Sequence, residues 1–193
     1  MREWFAQLIL YSEALTLAGE YAVFGELGGA VLEMVGDTRR KRVTAQDVLA
    51  VKQAISSMPC HPEVAHALRQ LRDAGFRLFT LTNNPAATAT EQIERAGLAE
   101  LFDQQFSVDR VHRYKPAPET YRFVEQQLGL PSSSCCMIAC HTWDIVGAVA
   151  AGWDAALIAR PGNAPLALGP QPHIVGKDLA VVAACLIAGY GHS

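Results

Sequence analysis

The chain has 193 residues, half of them hydrophobic and 18% charged, with a formal net charge of −3. That length holds one core domain with a small lid, and the balance of charge gives no basis for nucleic acid or an anionic membrane as a partner. No apolar run reaches membrane-spanning length, and Met1-Arg2-Glu3-Trp4 lacks the basic-then-apolar form of a signal peptide, so a cytoplasmic location is expected.

Residues 4–56 read as helical, with no strand pattern. Leu8, Tyr11, Leu15 and Ala18 recur at helical spacing, and Val31, Met34 and Val35 do so later. The run Asp37-Thr38-Arg39-Arg40-Lys41-Arg42 reads as a solvated connector, because no aromatic residue interleaves with its cations. Thr44 and Asp47 form a variant of the capping box, which starts a helix through Ile55. From Pro59 onward the pattern alternates. Helix 62–74 is followed by strand 77–81, helix 88–96, strand 106–108, helix 116–128, strand 135–139, helix 143–151, strand 155–158, and a final strand and helix between 173 and 188. Short apolar strands alternating with helices predict parallel pairing, buried on both faces. The expected fold class is therefore α/β: a doubly wound parallel sheet over 58–193, behind a helical lid over 1–57. Five cysteines, an odd number with no Cys-x-x-Cys pair, suit a reducing compartment; Cys135, Cys136 and Cys185 read as small buried hydrophobes.

Three short motifs stand where strands give way to helices. Leu78-Phe79-Thr80-Leu81 runs into Thr82-Asn83-Asn84; these side chains either cap the next helix or hold an anion in the ligand crevice of a doubly wound sheet. Lys115 is followed by Pro116-Ala117-Pro118, which fixes the backbone beside it; such a lysine is either a solvated cation or one held to neutralise nearby acids. Met137-Ile138-Ala139 runs into Cys140-His141-Thr142-Trp143-Asp144. Asp144 reads either as an ordinary first-turn acid or as a general base or partner for Lys115. A metal site built from Cys140, His141 and Asp144 is weak, because no fourth ligand has a recognisable spacing.

Taken in order, Leu81-Thr82-Asn83, then Tyr114-Lys115-Pro116-Ala117-Pro118, then His141-Thr142-Trp143-Asp144-Ile145-Val146-Gly147-Ala148 resemble the haloacid dehalogenase superfamily, and most of all its type II L-2-haloacid dehalogenase branch. Trp4 to Phe24 resembles the first lid helix and its turn, and Tyr121 lies six residues after the lysine, as in that branch. The resemblance implies hydrolysis of a short 2-haloacid in two steps: an aspartate displaces halide and forms an ester, which water then cleaves. It assigns Thr82 and Asn83 to the substrate, Lys115 and Asp144 to catalysis, and Tyr121, Trp143 and His141 to the pocket. It implies no cofactor or metal, a small-molecule substrate as partner, and a homodimer as one option.

Several departures qualify this expectation. Phosphatases of the superfamily place a magnesium-binding acid four residues before the Asp144 position, where this chain has Cys140, a poor ligand for a hard cation. Ala139 and His141 stand where the branch commonly has serine and asparagine, and Phe5 stands near the position of its lid arginine. The branch also opens with a strand ending in Asp-x-x-Gly-Thr, which supplies the nucleophile. No such motif occurs here, and Val35-Gly36-Asp37-Thr38 sits in a helical pattern. The expectation is a sheet lacking its first core strand and a 193-residue chain that turns nothing over by itself. Alternatives are a catalytically dead binding or oligomerising remnant, or a phosphatase-like hydrolase of a small metabolite.

Overall fold

The computed structural model describes residues 1–190. Two compact units divide it: one takes Met1–Pro59, Leu81–Ala99 and Gln105–Tyr114, the other Cys60–Thr80, Glu100–Gln104 and the chain from Lys115. The last three residues of the expected core, 191–193, lie outside the described residues.

The first unit is mainly helical, as the 3.6-residue periodicity predicts. Helix α1 (Arg2–Ala18) buries Trp4 and Leu8, one turn apart, against Val31 of α2 (Phe24–Thr38), with Phe5, Phe24 and Leu27 around them. The Trp4 indole N–H donates to the Gly28 carbonyl at 2.8 Å, so the ring is buried with its polar atom satisfied. Helix α2 runs through Asp37, which confirms that Val35-Gly36-Asp37-Thr38 is a helical stretch and not a strand end. The basic residues Arg39 to Arg42 are exposed. Helix α3 (Ala45–Ser56) begins with both bonds of the expected capping box, Thr44 Oγ1 accepting from the Asp47 N–H and the Asp47 carboxylate from the Thr44 N–H. Helix α5 (Ala86–Arg95) completes the set and packs on α3.

The second unit carries the α/β pattern. Strands β3 (Cys136–Ala139), β4 (Asp154–Ile158) and β5 (Ile174–Gly176) are parallel, with Cys136 opposite Asp154 and Ala156 opposite Ile174. Ala155, Ala156 and Leu157 are fully buried, as a strand covered on both faces must be. Helix α7 (Thr142–Ala150) lies on β3 and β4, while α8 (Leu179–Tyr190) packs on β4, β5 and α4 (Val64–Asp73). Helix α6 (Pro118–Leu128) starts with proline in its first turn, where no N–H is required, and packs against α7. Strands β1 (Phe79–Thr82) and β2 (Gln104–Ser107) form a separate two-stranded sheet. The expected α/β class therefore stands, although the described strands make two sheets rather than one.

Two cysteine expectations need correction. Cys135 is buried, but Cys136 and Cys185 are exposed. Strand alternation turns Cys136 to the face opposite Cys135, and Cys185 lies on the outer side of α8. Among the described residues no helix is long and apolar enough to cross a membrane.

Candidate active site

Five of the seven singled-out residues (Lys115, Tyr121, His141, Trp143 and Asp144) lie in the second unit. They meet around one carboxylate. Asp144 stands in the first turn of α7, where the helix dipole favours an anion, and its side chain is only 6% exposed. Lys115 Nζ donates to its Oδ2 at 2.7 Å and is itself 9% exposed. Tyr121, on the buried face of α6, donates its hydroxyl to the other oxygen, Oδ1, at 2.9 Å. The acid is thus held from two sides by partners 29 and 23 residues away in sequence. A buried charge costs several kcal/mol unless paired and hydrogen-bonded, and here both conditions are met.

Tyr121 is fully buried, so its hydroxyl serves Asp144 and faces no open crevice. Burial pushes its phenol far above the ordinary range, and the Asp144 charge pushes it the same way. The hydroxyl therefore stays protonated, a donor at any working pH. Its ring is fixed edge-on by Trp153 at 5.5 Å, and the Trp153 indole N–H is anchored on Glu125 at 2.6 Å.

Trp143 and His141 form the more open side of the group. Their rings stack at 5.3 Å, and Lys115 Nζ stands 5.8 Å from the Trp143 ring centre, within range of a cation–π attraction. His141 is half-buried at the N-cap of α7. Burial lowers its pKa; Asp144 pulls the other way and Lys115 reinforces the drop. A neutral imidazole can present either a donor or an acceptor to a small anion.

Thr82 and Asn83 belong to the other unit. Thr82 Oγ1 accepts the Asn84 N–H at 3.1 Å within the loop, while α5 has Pro85 at its N-cap and no side-chain cap, so these side chains do not cap the helix as one reading expected. Asn83 is 7% exposed.

The magnesium position can be judged from its donor set. Cys140 follows β3 in the second unit, and burial raises its thiol pKa. Arg160, ion-paired to Glu63, draws that thiol the other way, but burial outweighs it. A neutral thiol beside a fixed cation is a poor seat for a hard divalent metal. Among the described residues, no three His, Cys, Asp or Glu side chains stand close enough together to hold a metal ion.

Comparison with known proteins places this geometry. The model of the haloacid dehalogenase-like hydrolases matches residues 3–152. The chain belongs to that family. It is 28% identical over 169 residues to haloacetate dehalogenase H-2 of Moraxella sp. (strain B), a match covering 88% of this chain and 75% of the relative. It is 29% identical over 172 residues to (S)-2-haloacid dehalogenase 1 of Pseudomonas sp. (strain CBS-3), with the same two coverages of 88% and 75%. A crystal structure of an L-2-haloacid dehalogenase superposes with a TM-score of 0.90 at 27% identity, covering 95% of this chain and 82% of that one.

Sequence reasoning found Lys115 and Asp144 but missed the service Tyr121 gives the acid. The available signal was its place on the apolar face of α6, among Thr120 and Val124. The Glu63–Arg160–Cys140 group was missed altogether, since its members are 20 or more positions apart and form no motif.

Proposed function

We propose that this protein serves the hydrolytic, metal-independent dehalogenation of a short 2-haloacid. The observation carrying the proposal is the buried Asp144 carboxylate held between Lys115 and Tyr121, in a chain similar to haloacetate and (S)-2-haloacid dehalogenases. In the first step a carboxylate oxygen bonds to the substrate carbon, and the carbon–halogen bond breaks with its electron pair leaving on halide. In the second, water adds to the ester carbonyl, loses a proton, and releases the hydroxyacid and the carboxylate.

Asp144 is poorly suited to the first step, because a carboxylate paired to a cation is a weak nucleophile. It suits the second. Each of its oxygens keeps a further lone pair to orient water, and the neighbouring Lys115 cation offsets the negative charge gathered by substrate, ester and acid. Thr82 and Asn83 are proposed as substrate-binding residues, and so are His141 and Trp143. The ester-forming residue is proposed to come from an Asp-x-x-Gly-Thr strand, a motif absent from the 193 residues.

The test is halide-electrode measurement with chloro-, bromo- and fluoro-substituted short acids, without added metal. It compares the 193-residue chain with the product extended through the reading frame ahead of Met1. Release by the extended protein and none by the shorter chain is expected. Background readings from both, with every acid, would overturn the proposal.

A further inference from the structure

A glycine sits in the middle of α7, where alanine would make the better helix. Gly147 is buried, three residues after Asp144 and therefore on the same side of the helix. Glycine is the least favourable interior helix residue after proline, so its presence in a nine-residue helix calls for a local cause. The cause is contact. A Cβ built at this position would lie 2.4 Å from the Tyr121 hydroxyl oxygen, 2.6 Å from Pro116 Cβ and 2.8 Å from Pro116 Cα. No side chain tolerates such distances. Pro116 is backbone-bonded to Lys115, and the Tyr121 hydroxyl holds Asp144 Oδ1. Both neighbours that a Cβ would displace thus lead to the same ion pair.

We propose that Gly147 is a positioning residue for the Lys115–Asp144 pair. Its missing side chain lets α6 and the Lys115-Pro116 segment approach α7 closely enough for Lys115 and Tyr121 to reach the two oxygens of one carboxylate. Any larger residue pushes Tyr121 and Pro116 outward, lengthening both bonds to Asp144 while leaving the substrate-lining rings of His141 and Trp143 in place. The catalytic consequence of that displacement rests on the dehalogenase reading; the packing argument does not.

Two arms test it, and the first needs no turnover. The chain has four lysines, so the 15N–1H signals of the side-chain ammonium groups are few enough to assign. The Lys115 signal is expected to shift in both Gly147→Ala and Tyr121→Phe, while the other three stay put. A Lys115 signal unmoved in Gly147→Ala overturns the proposal, whatever Tyr121→Phe does. The second arm is kinetic, in the extended protein. Gly147→Ala is expected to lower kcat about 100-fold, the cost of misplacing a reacting group by an ångström, with KM within about twofold. Tyr121→Phe opens space and so folds, and is expected to lower kcat about 10-fold. The double variant should be no slower than Gly147→Ala alone, because the hydroxyl contact that Tyr121→Phe removes is already lost when Gly147→Ala pushes it outward. Multiplying losses, or an unchanged kcat in Tyr121→Phe, would mean that Gly147 acts otherwise. If no form of the protein releases halide, the functional reading fails and the ammonium signals alone decide this proposal.

Discussion

Two strand-to-helix loops of this molecule look alike in sequence and behave differently. After β1, the Thr82 hydroxyl accepts from Asn84, two residues on, and the Asn84 carbonyl accepts the Ser107 hydroxyl at 2.7 Å. After β3, the decisive side chain reaches across the fold: Asp144 is engaged by Lys115 and Tyr121, 29 and 23 residues away, and is buried by them. The first loop shapes its own turn, while the second fixes a charge. Local polar bonds replace water at small net gain, whereas a buried ion pair is costly unless its partners are held in register. The contrast separates a hydroxyl that could serve the turn alone from a buried acid held in place by two partners distant in sequence.

The largest expected effect tests the second loop. Asp144→Asn keeps the shape but removes the charge and turns one of the two acceptor oxygens into a donor NH2. In the extended protein it should lower kcat about 1,000-fold, in the range of a lost acid–base group. Halide release measures it, with a circular-dichroism spectrum to confirm folding. A variant retaining a tenth of the wild-type rate would place Asp144 among structural acids and erase the distinction between the loops.

Thr82→Val is the corresponding change in the first loop. It strips the Asn84 N–H of its acceptor, so urea unfolding should show a loss of about 1 kcal/mol. Its kinetic signature sharpens the comparison: a raised KM with kcat nearly unchanged would give the hydroxyl a second role toward substrate, as proposed. Unaltered kinetics would leave it a turn residue.

Much of this was legible in the chain. Helix α1, with Trp4 and Leu8 one turn apart, the capping box at Thr44 and Asp47, and the buried run of β4 follow from periods of 3.6 and 2 and from end signals only a few residues wide. The order Thr82-Asn83, Lys115, Asp144 was legible because each member sits at a strand or helix end that local rules can place. The contact made by Tyr121 was not, because it depends on how closely α6 approaches α7, a tertiary quantity. Gly147 was quoted in the motif without a role for the same reason: a glycine reports a close approach but not what approaches. The exposure of Cys136 escaped because an apolar run does not reveal which face of a short strand is covered.

The smallest effect concerns a pair outside the proposed chemistry, Glu63 with Arg160, whose side chains are 24% and 18% exposed. The Arg160 guanidinium holds the Glu63 carboxyl below the usual carboxylate range, and the residue's own backbone N–H assists. A depressed acid stabilises the fold fully above its unfolded value of about 4.3, and the contribution fades as pH falls through the lower folded value. Glu63→Gln should therefore cost about 0.5 kcal/mol at pH 7, typical of a partly exposed ion pair, and less at a pH below about 4. Urea midpoints at the two pH values check this. Unlike Asp144, Glu63 is expected to leave the Lys115 ammonium signal unmoved. A shift there on Glu63→Gln would show that the Arg160–Glu63 pair is coupled to the Lys115–Asp144 pair, and the two would then have to be read as one charge network.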